Sequence, residues 1–167
     1  FHEPGRLRGL IEGLVAEKQV PLFVKLPPWP RHDENRRELL KLAATAVDAG
    51  VDGLVVANTH PIESRILQVG RGGLSGAPLF EHTELMIADI QAQVQGEVAI
   101  IACGGVSTGE HVWKLLATGA SAVQLYTSFI YEGPGLPARI NKRLSKLMQV
   151  AGISKIEDIN GEPPAVR

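Results

Sequence analysis

Ile100-Ile101-Ala102-Cys103-Gly104-Gly105-Val106-Ser107-Thr108-Gly109, followed after Gly119-Ala120 by Ser121-Ala122-Val123-Gln124-Leu125-Tyr126-Thr127, is the stretch that decides the fold. It reads as a buried strand, a glycine turn, a short helix and a second strand that stops at two hydroxyl residues. Gly104 and Gly105 put no side chain between the backbone amides and an anion. N–H groups there and at the following helix N-terminus can therefore surround a phosphate.

The same strand and helix alternation extends on both sides. Leu7, Leu10, Ile11, Leu14 and Val15 recur at helical spacing, and Val20 to Leu26 is a short apolar run stopped by Pro27-Pro28. Asp33 is placed to cap a helix over 34–49, with Leu39, Leu42, Ala43, Ala46 and Val47 on one face and Gly50 as its stop. A strand is predicted over 51–57, and a polar, glycine-rich loop over 58–78 is long enough to be functional. Thr83 is expected to open a third helix that carries Leu85, Met86 and Ile90 to a stop at Gly96. Strands over 98–102 and 122–125, a helix over 109–118 and an amphipathic helix over 137–150 complete the pattern.

Apolar strands separated by helices imply a parallel sheet covered by helices on at least one side. A closed (β/α)8 barrel needs about eight strands and ~250 residues. This chain of 167 residues supplies about half of that, so its sheet is expected to leave two open edges for a missing half or a second copy to cover. Its start at Phe1 is read as a cut in a longer protein.

Composition sets further bounds. With 44% hydrophobic and 21% charged residues and a net charge of −1, the chain has an ordinary globular composition and no electrostatic footprint for nucleic acid. No apolar run approaches the roughly 20 residues of a membrane span. The single cysteine excludes an internal disulfide and fits a reducing compartment.

Candidate site residues share one position, the C-terminal ends of strands, where barrels and open α/β sheets place their chemistry. Lys25 ends the first strand, Asn58 and Thr59 the second, Cys103 to Gly105 the third, and Tyr126-Thr127 the fourth. A lysine in an apolar strand should meet an anionic or electron-rich group, unless it snorkels to solvent. Asn58 and Thr59 can read a heterocycle with alternating N–H and C=O groups, although an Asx-turn is the simpler reading of that asparagine. Cys103 is read as a small core residue rather than a nucleophile, and His60 as a surface histidine rather than a base. The charged run from Arg31 to Glu38 is read as a solvated helix start. No metal site is expected.

Taken in order, Val24-Lys25-Leu26-Pro27-Pro28, Ala57-Asn58-Thr59, Gly72 to Leu79, Ile100 to Val106 and Gln124-Leu125-Tyr126-Thr127 resemble the dihydroorotate dehydrogenases. The segment from Ile100 to Ala120 is similar to the family's second signature, and Phe129 to Pro134 is similar to the family's next segment. The Gly72-Gly73-Leu74-Ser75-Gly76 form resembles the class 2, quinone-linked, membrane-associated enzymes more than the class 1 enzymes.

That resemblance implies an FMN enzyme oxidising dihydroorotate to orotate in pyrimidine synthesis, built on the C-terminal part of a (β/α)8 TIM barrel, with residues 1–167 forming one portion of a single domain. It implies that Lys25 lies by the flavin ring, that Gly76, Gly104, Gly105, Tyr126 and Thr127 hold FMN, the last three residues around its phosphate, and that Asn58 and Thr59 bind the orotate ring. Ala57 stands where many relatives carry a threonine that touches FMN, and Trp29 where an acidic residue is frequent. The family's catalytic base, a serine in class 2 and a cysteine in class 1, lies on a loop in the first half of the barrel that nothing here matches, and the N-terminal helices with which class 2 enzymes reach the membrane quinone are read as absent too. The expected partners are thus dihydroorotate or orotate and a quinone, and the expected location is the cytoplasmic side of a membrane, peripherally bound, or the cytoplasm if the class is otherwise. The fragment is expected not to turn over alone. Two alternatives stay open: a phosphate-ligand or flavin-binding half-barrel without redox activity, and a related flavin oxidoreductase acting on another substrate.

Overall fold

A computed structural model describes residues 3–28 and 33–165. Trp29, Arg31 and the side chain of Asp33 lie outside the described residues. Helix α1 (Pro4–Glu17) leads to strand β1 (Phe23–Lys25), α2 (Asp33–Asp48) and β2 (Gly53–Val56). A hairpin of β3 (His60–Glu63) and β4 (Arg71–Leu74) precedes α3 (Phe80–Val94) and β5 (Ala99–Cys103). Then come α4 (Gly109–Ala117), β6 (Ala122–Gln124), α5 (Thr127–Glu132) and α6 (Leu136–Ala151).

The main sheet has four strands in the order β1-β2-β5-β6, all parallel, with Lys25, Val55, Ile101 and Ala122 aligned across it. Parallel strands joined through helices form an α/β fold consistent with part of a TIM barrel. β1 and β6 are its edges.

Strand alternation sorts the side chains between two faces. Leu54, Val56, Ile100 and Ala102 point into the hydrophobic core, with Val24 and Val123 packed against it. Helices supply the rest through Ile11, Leu42, Ala46, Met86, Ile90, Leu115 and Leu147, and successive helices touch in the order α1, α2, α3, α4, α6. Full burial of each such leucine or isoleucine contributes about 1.5–3 kcal/mol. Phe23, Lys25, Ala122 and Gln124 lie on the opposite face and are exposed.

Local chemistry explains where the helices begin and end. Pro4 opens α1 at a position whose N–H has no intrahelical partner. Thr108 caps α4, its hydroxyl oxygen accepting the His111 N–H at 3.1 Å. At the other end of the sheet Asp52 Oδ2 accepts from Lys18 Nζ and from the Leu22 N–H, each at 2.6 Å, which ties the entrances of β1 and β2 together.

Several sequence expectations need correction. The 58–78 segment is not an irregular loop, because His60–Glu63 and Arg71–Leu74 pair antiparallel within it. Helix α3 starts at Phe80 rather than Thr83, which is buried inside its first turn. Leu10 and Leu14 are exposed, so α1 buries a narrower stripe than its apolar spacing suggests. β1 is shorter than 20–26, since Pro21 brings no N–H to a ladder. Helix α5 has no counterpart in the sequence pattern.

Candidate functional site

The C-terminal ends of all four parallel strands open into one cleft of about 830 Å³. Lys25, Ala57, Asn58, Thr59, Gly76, Gly104, Gly105, Tyr126 and Thr127, every residue singled out for ligand binding, line it. These positions are distant in sequence and are brought together by the register of the sheet.

At the floor, Lys25 Nζ lies 3.5 Å from Cys103 Sγ, so the strand-end lysine meets a polarisable sulfur across β2. Cys103 is half-buried on the cleft wall rather than enclosed in the core. The Ala57 N–H donates to the Cys103 carbonyl at 2.9 Å, which carries the pairing of β2 and β5 to the cleft's rim. Asn58 Oδ1 accepts the Thr59 N–H at 2.8 Å, a bond to the next residue rather than to the one two residues on that an Asx-turn would use. Both side chains remain exposed to the cleft.

The hairpin reaches this rim as well. A Cβ at Gly73 would lie 2.9 Å from Thr59 Cβ, so glycine is what lets β4 pass close to Thr59. A Cβ at Gly76 would sit 3.0 Å from Thr127 Cγ2, which places the end of the hairpin against the first residue of α5.

The opposite wall is built from two turns that hold each other. Ser128 Oγ donates to the Val106 carbonyl at 2.5 Å, joining the β5–α4 turn to α5. Gly105 has φ +74° and is packed on Phe80, where a Cβ would lie 2.5 Å from Phe80 Cα. Phe80 in turn stacks on His111, with ring centroids 4.1 Å apart. His111 Nδ1 accepts the Ser107 N–H at 3.3 Å. Burial pushes the His111 imidazolium below its ordinary pKa, and Lys114 pushes the same way; Glu110, Glu84 and a hydrogen bond with the Gly105 backbone act in the other direction.

Sequence reasoning missed part of this wall. Ser107, Ser128, Tyr131 and Glu132 also line the cleft; the last three belong to α5, too short to leave a periodic signal. His60 is buried rather than a surface residue, with its ring 5.3 Å from that of His82, and it does not line the cleft. Among the described residues no group of three or more His, Cys, Asp or Glu side chains is arranged to hold a metal ion.

The family model described as dihydroorotate dehydrogenase matches residues 3–148. The chain is 34% identical over 169 residues to the dihydroorotate dehydrogenase (quinone) of Sphingopyxis alaskensis, covering 96% of this chain and 46% of that protein. It is 38% identical over 146 residues to the mitochondrial dihydroorotate dehydrogenase (quinone) of Arabidopsis thaliana, covering 84% and 31%. Among solved structures, the Eimeria tenella enzyme in complex with ferulenol superposes with a TM-score of 0.81 at 33% identity, covering 96% of this chain and 48% of that one. The chain thus spans about a third to a half of the length of these relatives.

Proposed function

This chain belongs to the dihydroorotate dehydrogenase family, and from that premise we propose that it carries the FMN site and part of the orotate site of an enzyme that oxidises dihydroorotate to orotate with a quinone as electron acceptor. Residues 1–167 are proposed as the C-terminal portion of a single (β/α)8 barrel domain. Four parallel strands, half the eight of such a barrel, support that placement. The quinone-linked names of the relatives support the acceptor. Attachment to the surface of a membrane follows from that acceptor; among the described residues no helix is long and apolar enough to cross one.

One observation carries the reading: groups suited to a phosphate, a flat ring and a second heterocycle converge from four strand ends on a single cleft. Its volume of about 830 Å³ falls within the ~300–1,000 Å³ usual for small-ligand sites. The residues fit FMN. Gly104 and Gly105 line the cleft without side chains of their own, while Thr83 fills the space a Cβ would take on Gly104 and Phe80 the space on Gly105. Tyr126, Thr127 and Gly76 stand around the same end of the cleft and would hold the phosphate with it.

FMN, when bound, supplies an acceptor for the hydride leaving the dihydropyrimidine ring. Lys25 would lie beside the flavin ring, where its ammonium group would favour negative charge. Asn58 spends Oδ1 on the Thr59 N–H and keeps its Nδ2 donors for a ring carbonyl, while the Thr59 hydroxyl can donate or accept. Together they orient the substrate ring. The residue that takes the proton is proposed to lie in the N-terminal portion of the barrel, so this chain alone is expected to bind and not to turn over.

Titration of the purified chain with FMN, followed by quenching of flavin fluorescence, tests the proposal. Saturable binding is expected, at least about tenfold weaker for riboflavin, which lacks the phosphate, and about tenfold weaker for Lys25→Ala. Absence of saturable binding by the folded chain, or equal affinity for riboflavin, overturns the assignment of a flavin phosphate site. Tight binding of another phosphorylated metabolite with no FMN binding would identify a phosphate-ligand module instead.

A further inference from the structure

We propose that His111 is a positioning residue that holds the Gly104–Ser107 turn in the shape that admits phosphate. The inference rests on the reading of that turn as a phosphate site, and it concerns a side chain that does not itself line the cleft.

Three separate contacts converge on this imidazole. Its Nδ1 accepts the Ser107 N–H at 3.3 Å and lies 3.4 Å from Ser107 Oγ. Its face stacks on Phe80, the residue against which Gly105 is packed with no room for a Cβ. The backbone of His111 contributes as well, since its N–H donates to the Thr108 hydroxyl that caps α4. The turn and the first residue of α3 are thereby fastened through one side chain, and the first turn of α4 through the backbone of the same residue.

The fastening has a consequence for the ligand. A turn that must present backbone amides to an anion works only if those amides are fixed before the anion arrives, because ordering them on binding lowers affinity. Ser107 would otherwise be free to turn its N–H and hydroxyl toward solvent or the cleft. His111 removes that freedom.

The contact requires the neutral imidazole. A proton on Nδ1 would set a donor against the Ser107 N–H, and the bond would be lost. The charged groups acting on the ring are Glu110 and Lys114 on α4 and Glu84 on α3, and Arg143 of α6 engages Glu110. Burial outweighs the carboxylates and keeps the ring neutral at pH 7. Acid therefore opens the clamp, and the turn with it.

Two variants separate the acceptor from the stack. His111→Phe keeps a ring on Phe80 and removes the acceptor, whereas His111→Asn puts an amide oxygen near the place of Nδ1 and removes the ring. Affinities for FMN and riboflavin, measured from pH 5 to pH 8, are expected to show a loss of about tenfold for FMN in His111→Phe, the scale of one net hydrogen bond. Riboflavin binding by that variant should stay within about twofold of the parent, and His111→Asn should bind FMN within about threefold. On acidification the parent should lose FMN faster than His111→Asn; titration of the phosphate itself is common to both and divides out.

Equal weakening of FMN and riboflavin by His111→Phe, or no weakening of either, overturns the proposal. Amide hydrogen exchange over 104–107 gives a readout that needs no ligand. His111→Phe should exchange at least about tenfold faster there at an unchanged thermal midpoint, and unchanged protection overturns the proposal. A parent chain that binds no FMN would sink the phosphate-site reading, and the exchange result would still decide the role of His111.

Discussion

Gly105→Ala is the substitution that most directly tests whether the turn is built as described. The residue has φ +74°, which costs an L-amino acid about 1–2 kcal/mol relative to glycine. Its new Cβ would also lie 2.5 Å from Phe80 Cα and 2.7 Å from Phe80 Cβ. The first of these atoms is backbone and the second begins a side chain stacked on His111, so neither can rotate away. Forced overpacking of this kind adds about 1–3 kcal/mol, for a total of about 2–5 kcal/mol. Gly96→Ala supplies the control. Gly96 has φ +83° with nothing within 4 Å of the place its new methyl would take, so only the backbone cost of about 1–2 kcal/mol applies. Urea unfolding of both variants, compared at constant slope, isolates the collision as a difference of about 1–3 kcal/mol. Equal destabilisation of the two would refute the packing of the turn on α3.

Burial raises the Glu110 carboxyl while its hydrogen bond from Arg143 Nε at 2.6 Å lowers it, and the net lies below the ordinary value. Its contribution is then present above pH 4.5 and lost as pH falls through the lower folded value. Both side chains are about a third exposed, so Glu110→Gln should cost no more than about 1 kcal/mol at pH 7, and the unfolding curves of variant and parent should converge in acid. Trp113→Phe removes the donor to the Gly161 carbonyl at 3.0 Å and leaves a gap in the core, an expected loss of about 1–3 kcal/mol by thermal or urea unfolding. Cys103, on the cleft wall, should be alkylated several-fold more slowly when FMN saturates the chain; an unchanged rate by mass spectrometry would separate the flavin from this wall.

The sheet was legible because its strands are unbroken apolar runs between helical stripes, a pattern that water imposes on any chain with a buried parallel sheet. Strand limits were less so. Val20, Pro21 and Val51 are as apolar as their neighbours, and only the ladder reveals that they stand outside it. The hairpin was hidden by its own composition: Pro61 in one strand and the Gly72-Gly73 pair in the other are turn residues by local preference, here overruled by antiparallel pairing and by the close approach to Thr59. Thr83 has the look of a cap because it precedes an apolar stripe. Its hydroxyl instead lies against the position a Cβ on Gly104 would take, a tertiary relation no local pattern encodes.

Within the site, position did more than residue type. Lys25, Asn58, Gly105 and Thr127 are unremarkable residues singly, yet each ends a strand or follows within three residues of one, and parallel strands deliver their ends to one rim. His111 left no such trace. It lies on a helix past the strand end, outside the positions that the strand-end rule picks out, and only the ring stack and the Ser107 bond set it apart.

The bond network of Asp52 with Lys18 and Leu22 sits where β1 and β2 begin, at the end of the sheet away from the cleft. Fastening and ligand contact are thus assigned to opposite poles of the same strands. Drift in the rim residues can change what is held without loosening the anchor, and repairs at the anchor can offset a costly rim without altering what it recognises. A scaffold divided this way tolerates experiment at one pole because the other absorbs the damage.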